Sequence, residues 1–118
     1  MPYMLLIAEP RGQREARTDA EGRAAYQSMV EFGEDLQARG LLLAVESLRP
    51  DSDGVRVQKR NGKASLTDGP FAEAKEMVGG FFLVNCTSRD AALALAAECP
   101  AAEWATVEVR ETGPCFLR

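Results

Sequence analysis

Thr67-Asp68-Gly69-Pro70-Phe71-Ala72-Glu73-Ala74-Lys75-Glu76 sets the reading of the whole chain, because it is denser than a turn requires. Asp68, Gly69 and Pro70 each favour a turn for a separate reason: a short side chain that bonds nearby backbone, freedom at positive φ, and a fixed φ without an N–H donor. Phe71 adds a large apolar anchor, and Glu73, Lys75 and Glu76 place three charges beside it. A turn at Asp68 to Pro70 also explains an Asp there through an Asx-type bond to its own backbone.

On either side of this stretch the periodicity changes. Before it, Val55-Arg56-Val57-Gln58-Lys59 alternates apolar and polar, and Asn61-Gly62 turns the chain back into Lys63 to Thr67, a hairpin that is polar on one side. After it, Val78 to Cys86 is apolar at odd and even positions alike, as is Tyr3 to Ala8 at the start of the chain. Strands of that kind are covered on both faces. The hairpin is therefore an excursion, and the doubly apolar strands are the centre of the main sheet.

The remaining elements follow from local signals. Thr18-Asp19-Ala20-Glu21 matches a capping box, and Ala25, Met29, Phe32 and Leu36 form the apolar stripe of a helix that ends at Arg39 and Gly40. Glu9 to Arg17, with Pro10 and Gly12, reads as a loop. Leu41 to Leu48 is a second strand, closed by the turn cluster Arg49 to Gly54. Thr87-Ser88-Arg89-Asp90 caps an Ala/Leu-rich helix that Pro100 must end. The last strand runs from Trp104 to Arg110, with Ala105, Val107 and Val109 on one side and Trp104, Thr106, Glu108 and Arg110 on the other.

The order β-α-β, hairpin, β-α-β is the split βαβ pattern of an α+β, ferredoxin-like fold: an antiparallel sheet with both helices on one face and an inserted β-hairpin. Two helices cover one face only, while both central strands are apolar on two. The economical cover for the second face is the same face of another subunit, which makes the assembly a dimeric α/β barrel and the first partner a second copy of the chain.

Composition bounds the chemistry. The 118 residues make one domain, expected over 1–111 with a tail at 112–118. Eighteen acidic and fourteen basic residues give a net charge of −4 without a block of like charge, so no nucleic-acid partner is expected. The short apolar run at Met4 to Ala8 suits neither a signal segment nor a membrane span, and a cytoplasmic protein is expected. Cys86, Cys99 and Cys115 are scattered and odd in number, which fits free thiols better than a disulfide framework or a zinc site. There is no histidine, so acid–base chemistry falls to a carboxylate, Lys, Tyr or Cys. No cofactor and no metal are expected.

If Val107 and Val109 face the helices, Glu108 and Arg110 look into the space beneath the second subunit and are candidate ligand-binding residues, or else an interface ion pair. Glu46 on the second strand, with Asp68, Glu73 and Lys75 of the central stretch, are the candidate catalytic residues at the rim of the same pocket. Arginine's planar fork suits a carboxylate, so the expected ligand is a small, partly apolar, anionic or zwitterionic molecule.

The run Asp68-Gly69-Pro70-Phe71-Ala72-Glu73, with Lys75-Glu76 and then Gly79-Gly80-Phe81-Phe82, resembles the signature of the DGPF branch of the YCII-related proteins. The likeness extends to Tyr3-Met4-Leu5-Leu6-Ile7, to Gly40-Leu41-Leu42 and Glu46-Ser47-Leu48-Arg49-Pro50, and to Cys99-Pro100-Ala101-Ala102 before Thr106 to Arg110. It implies a small bacterial protein of ferredoxin-like fold, a dimeric α/β barrel, whose activity is not established for most members. Genes of the family often lie beside extracytoplasmic-function sigma factors, which implies a stress-linked role. Many relatives carry a His just before the last strand, where this chain reads Ala102-Glu103-Trp104-Ala105, so a His–Asp lyase mechanism cannot be inherited unchanged. Two function classes are left by the resemblance: a binding or accessory protein, and a small lyase or isomerase with Glu46, Asp68 or Glu73 as base and Lys75 or Arg110 stabilising the anion.

Overall fold

A computed structural model describes the whole chain, residues 1–118. β1 (Tyr3–Pro10) leads through the short helix α1 (Gln13–Ala16) into α2 (Asp19–Ala38), followed by β2 (Leu42–Ser47), the hairpin β3 (Val55–Arg60) and β4 (Lys63–Asp68), then β5 (Glu76–Val84), α3 (Arg89–Glu98) and β6 (Thr106–Glu111). The main sheet is antiparallel in the order β2-β5-β1-β6, the ferredoxin-like arrangement, and β3-β4 forms a separate two-stranded sheet.

Local chemistry sets the helix boundaries. At Thr18 the hydroxyl accepts from the Glu21 N–H (3.1 Å) while the Glu21 carboxylate accepts from the Thr18 N–H (2.8 Å), so two free donors of the first turn are satisfied together. That bonding holds the Glu21 carboxyl below the usual carboxylate range. α3 opens on Ser88, whose hydroxyl accepts from Ala91 N–H, and Pro100 starts a 3-10 turn instead of prolonging the helix.

Alternation along the central strands sorts their two faces. Tyr3, Leu5 and Ile7 of β1 and Phe82 and Val84 of β5 are buried against Phe32 and Leu36 of α2 and Ala92, Leu95 and Ala96 of α3. Phe32 meets Phe82 edge-on, ring centroids 5.1 Å apart. Val107 and Val109 pack against this core, which commits Glu108 and Arg110 to the opposite face. Cys86 and Cys99 fill core positions, and their burial raises both thiol pKa values; Cys115 is exposed.

The opposite face is open. Register lines up Glu46, Phe81, Leu6 and Glu108 in one row across all four strands, and Ala44, Leu83, Met4 and Arg110 in the next. Its middle is apolar and its edges are charged. The chain measures 47 × 42 × 20 Å, and 20 Å is the thickness of one sheet with one layer of helices. Every residue of β3 and β4 is exposed, Val55, Val57 and Leu66 among them.

Three expectations change on contact with the structure. β1 runs on to Pro10, and α1 occupies part of what reads as a loop over Glu9 to Arg17; proline is admitted because it is the last residue of the strand. Trp104 ends the 3-10 turn begun by Pro100, so it stands outside the alternation of β6 and packs against the core side. Asp68 is the last residue of β4, and its side chain makes no turn bond. The carboxylate that fixes the turn is Asp51, which accepts from the Phe71 N–H (3.4 Å).

Candidate functional site

α2 lies close to the sheet along its C-terminal half, where Phe32, Gly33 and Leu36 are buried, and stands off along its N-terminal half. Small residues, Gly22 and Ala25 on the helix and Gly79 and Gly80 on β5, line the space between them. The result is a cleft of about 590 Å³ between α2, β2 and β5, within the range of small-molecule sites. Its walls are Ile7, Met29, Val30, Val45 and Phe82, and its polar end holds Glu9, Arg14 and Arg17 beside Trp104. Of the stripe that sequence periodicity assigns to the core, Phe32 and Leu36 are buried, Met29 packs against the core while also lining the cleft, and Ala25 is cleft wall.

Glu9 continues the inward alternation of Tyr3, Leu5 and Ile7, and is 4% exposed. The β1–β5 register slips between Ile7 and Ala8, leaving Gly79 as the unpaired residue of a bulge directly against the Glu9 carboxylate. A Cβ at Gly79 would collide with that carboxylate and come within 3.1 Å of an Arg14 guanidinium nitrogen, so this position requires glycine. Arg14 Nε lies 2.5 Å from Glu9 Oε1, which pairs the charges, yet no N–H points at that oxygen. Arg14 is supplied by α1, and Gln13 from the same turn donates to the Trp104 carbonyl (2.6 Å), tying α1 to the end of the 3-10 turn. The Arg17 guanidinium lies over the Trp104 ring, 4.5 Å from its centroid, with no carboxylate within ion-pair distance.

A second polar cluster holds the motif loop in place. Arg11 donates through Nε to the Ala74 carbonyl (2.8 Å), through one terminal nitrogen to Asp51 (2.9 Å), and through the other to Asp51 (2.5 Å) and to the Phe71 carbonyl (3.0 Å). The end of β1, the 3-10 turn at Asp51 and the loop 69–75 are thus joined by one guanidinium. Hydrogen bonding to Asp51 raises the Arg11 pKa, and the same bonds hold the Asp51 carboxyl below its ordinary range. Gly69 passes so close to the Asp51 carbonyl that a Cβ would overlap it.

The candidate residues chosen from sequence are spread over three places. Glu73 pairs with Arg56 (2.7 Å), which stacks on Phe71, and this pairing helps lower the Glu73 pKa, behind a hydrogen bond from its own backbone N–H. Lys75 is exposed and contributes its carbonyl to Arg11 N–H (3.1 Å). Glu108 and Arg110 pair with each other at 3.3 Å, exposed, on one edge of the open face. Glu46 is on the other edge strand, three strand spacings or about 14 Å away, and is the one candidate from the sequence that also lines the cleft. Within one chain, no hydrogen bond or ion pair joins Glu46, Asp68 or Lys75 to another of the candidates. Glu9, Arg14 and Arg17, which do converge, belong to the segment that reads as a loop. The available signal was the period-two pattern Tyr3, Leu5, Ile7, Glu9 set against Gly79-Gly80.

The family model described as the YCII-related domain matches residues 1–114. An uncharacterized protein of Rhizobium meliloti (strain 1021) is 41% identical over 54 residues, a match that spans 46% of this chain and 44% of the relative. The chain therefore spans less than half the length of that relative, and neither comparison names a substrate.

Proposed function

Given that the chain belongs to the YCII-related family, which fixes its kinship and leaves its chemistry open, we propose that it is a small-molecule-binding protein acting as a homodimer. The observation that carries this reading is the cleft beneath α2, where apolar walls meet charged groups, Glu9, Arg14 and Arg17 at one end and Glu34 and Glu46 elsewhere on the lining. The homodimer follows from the open face. Apolar rows through Phe81 and Leu6, and through Leu83 and Met4, match themselves across a two-fold axis, as an isologous contact requires. In that assembly Glu108, Arg110 and Glu46 border the interface, and Asp68, Glu73 and Lys75 stand at its rim on the loop that Arg11 holds. The hairpin adds a second unpartnered apolar surface. It carries Arg56, Lys59, Arg60 and Lys63 against a single acidic residue, whereas α2 carries Asp19, Glu21, Glu31, Glu34 and Asp35 against Arg23, so the two are complementary in charge between copies.

One observation favours a second reading, a small lyase or isomerase with a carboxylate base: Glu9 Oε1 is buried beside the cleft without an aligned donor. A thermal-shift screen of metabolites against wild type and Val30→Trp, which fills the cleft, tests the first reading. Stabilisation of wild type alone is expected; ligands that stabilise both equally would contradict it. Incubating each hit and analysing it for product decides between binding and turnover.

A further inference from the structure

We propose that the cleft takes a monoanionic carboxylate with an apolar body, the carboxylate held by Arg17 and the body laid along Met29, Val45 and Phe82. The proposal rests on the cleft being a ligand site and specifies its occupant.

Arg17 is exceptional among the arginines of this chain. Arg11, Arg14, Arg23, Arg39, Arg49, Arg56 and Arg110 each have a carboxylate within ion-pair distance. Arg60, Arg89 and Arg118 do not, and all three are exposed, where water serves them. Arg17 alone is both half-buried and without a carboxylate, in a protein with eighteen acidic residues. A partly desolvated cation in that position is unsatisfied until an anion arrives. The Trp104 ring holds the guanidinium at 4.5 Å, and none of its N–H groups is taken by a protein hydrogen bond, which leaves them free for a carboxylate.

Charge at the polar end sets the valence. Arg14 is neutralised by Glu9, so Arg17 is the one guanidinium of this end outside an ion pair, and Glu34 and Glu46 add negative charge to the cleft lining. A monoanion pairs with Arg17, and the second charge of a phosphate monoester dianion would find no cation in a lining that already carries carboxylates. The apolar part of the lining, Ile7, Met29, Val30, Val45 and Phe82, rewards an apolar chain or ring, and the charged residues outside the Arg17 end, Glu34 and Glu46, are both acidic and offer no second site for an anion.

Calorimetric titration with 4-phenylbutanoate, 4-phenylbutanamide and 3-phenylpropyl phosphate tests the assignment, using wild type, Arg17→Gln and Val30→Trp. Arg17 makes no side-chain hydrogen bond or ion pair, so its replacement leaves the fold intact. The carboxylate should bind wild type at least about tenfold more tightly than the amide or the phosphate, and Arg17→Gln should reduce it to the level of the amide without changing amide binding. Equal binding of carboxylate and amide, preference for the phosphate, or indifference to Arg17→Gln would overturn the ligand class while leaving the cleft a binding site. Failure of all three probes to bind wild type, or binding that persists in Val30→Trp, would overturn the cleft reading together with the ligand class.

Discussion

Arg14 is needed more by Glu9 than by solvent. The Glu9 side chain is 5% exposed and has no other cation beside it, so removing Arg14 strands a carboxylate inside the protein. Arg14→Met should cost about 3 kcal/mol in urea unfolding, and the double variant Glu9→Gln/Arg14→Met should recover most of that loss, because the penalty belongs to the unpaired charge. A single-variant loss below about 1 kcal/mol, or strict additivity, would show that water reaches Glu9 freely. Whether this pair could be read in the sequence turns on Pro10. Proline after a Glu suggests the end of a strand, and the strand does end at Pro10, two residues later than the loop reading places it. Glu9 and Gly79 meet only because a register slip leaves Gly79 unpaired opposite it, and a bulge has no signature in a single strand's pattern.

Elements were legible where their signals are local. The Thr18 capping box, the Asn61-Gly62 hairpin, the positive φ at Gly40 and the opposed faces of Val107 and Glu108 all follow from neighbours a few residues apart. The clamp on the motif loop was not legible, since Arg11 and Asp51 are forty residues apart and each is an ordinary turn residue by itself. Its consequence is a pH dependence. Arg11 depresses the folded-state pKa of Asp51, so the unfolded chain takes up the proton first. The stabilisation is complete above the ordinary carboxyl range near pH 4 and drains away as pH falls through the lower folded value. Glu21 and Glu73 are shifted the same way and contribute to the same acid limb. Asp51→Asn should therefore lower stability near neutrality and flatten the loss between about pH 5 and 2, as read from urea midpoints. An acid limb as steep as that of wild type would show that the clamp does not couple to folding. The loop 69–75 should also become the preferred site of limited proteolysis in Arg11→Ala, because its carbonyls lose their shared donor.

At the scale of the whole molecule, an apolar sheet face without helices and a hairpin exposed on all sides are surfaces that small monomers seldom leave in water. Light scattering should give twice the 12.8 kDa chain mass for wild type and the single-chain mass for Leu83→Asp, which puts a charge in the middle of the open face. A monomeric wild type at micromolar concentration would contradict the homodimer and leave the cleft reading standing, since the cleft is formed within one chain, between α2 and the strands β2 and β5. The sequence announces the open face through doubly apolar strands, but it conceals the cleft, because Ala25 and Met29 look the same whether they meet a neighbour or a void. Trp104, the one tryptophan in the chain, lies in the cleft wall and makes its own emission a local reporter. The most direct test of the account is therefore a titration of intrinsic fluorescence with any ligand that stabilises the protein. A saturable change in Trp104 emission that tracks calorimetric binding and disappears in Val30→Phe, which narrows the cleft without adding a second indole, is expected; tight binding that leaves the emission unmoved would contradict it.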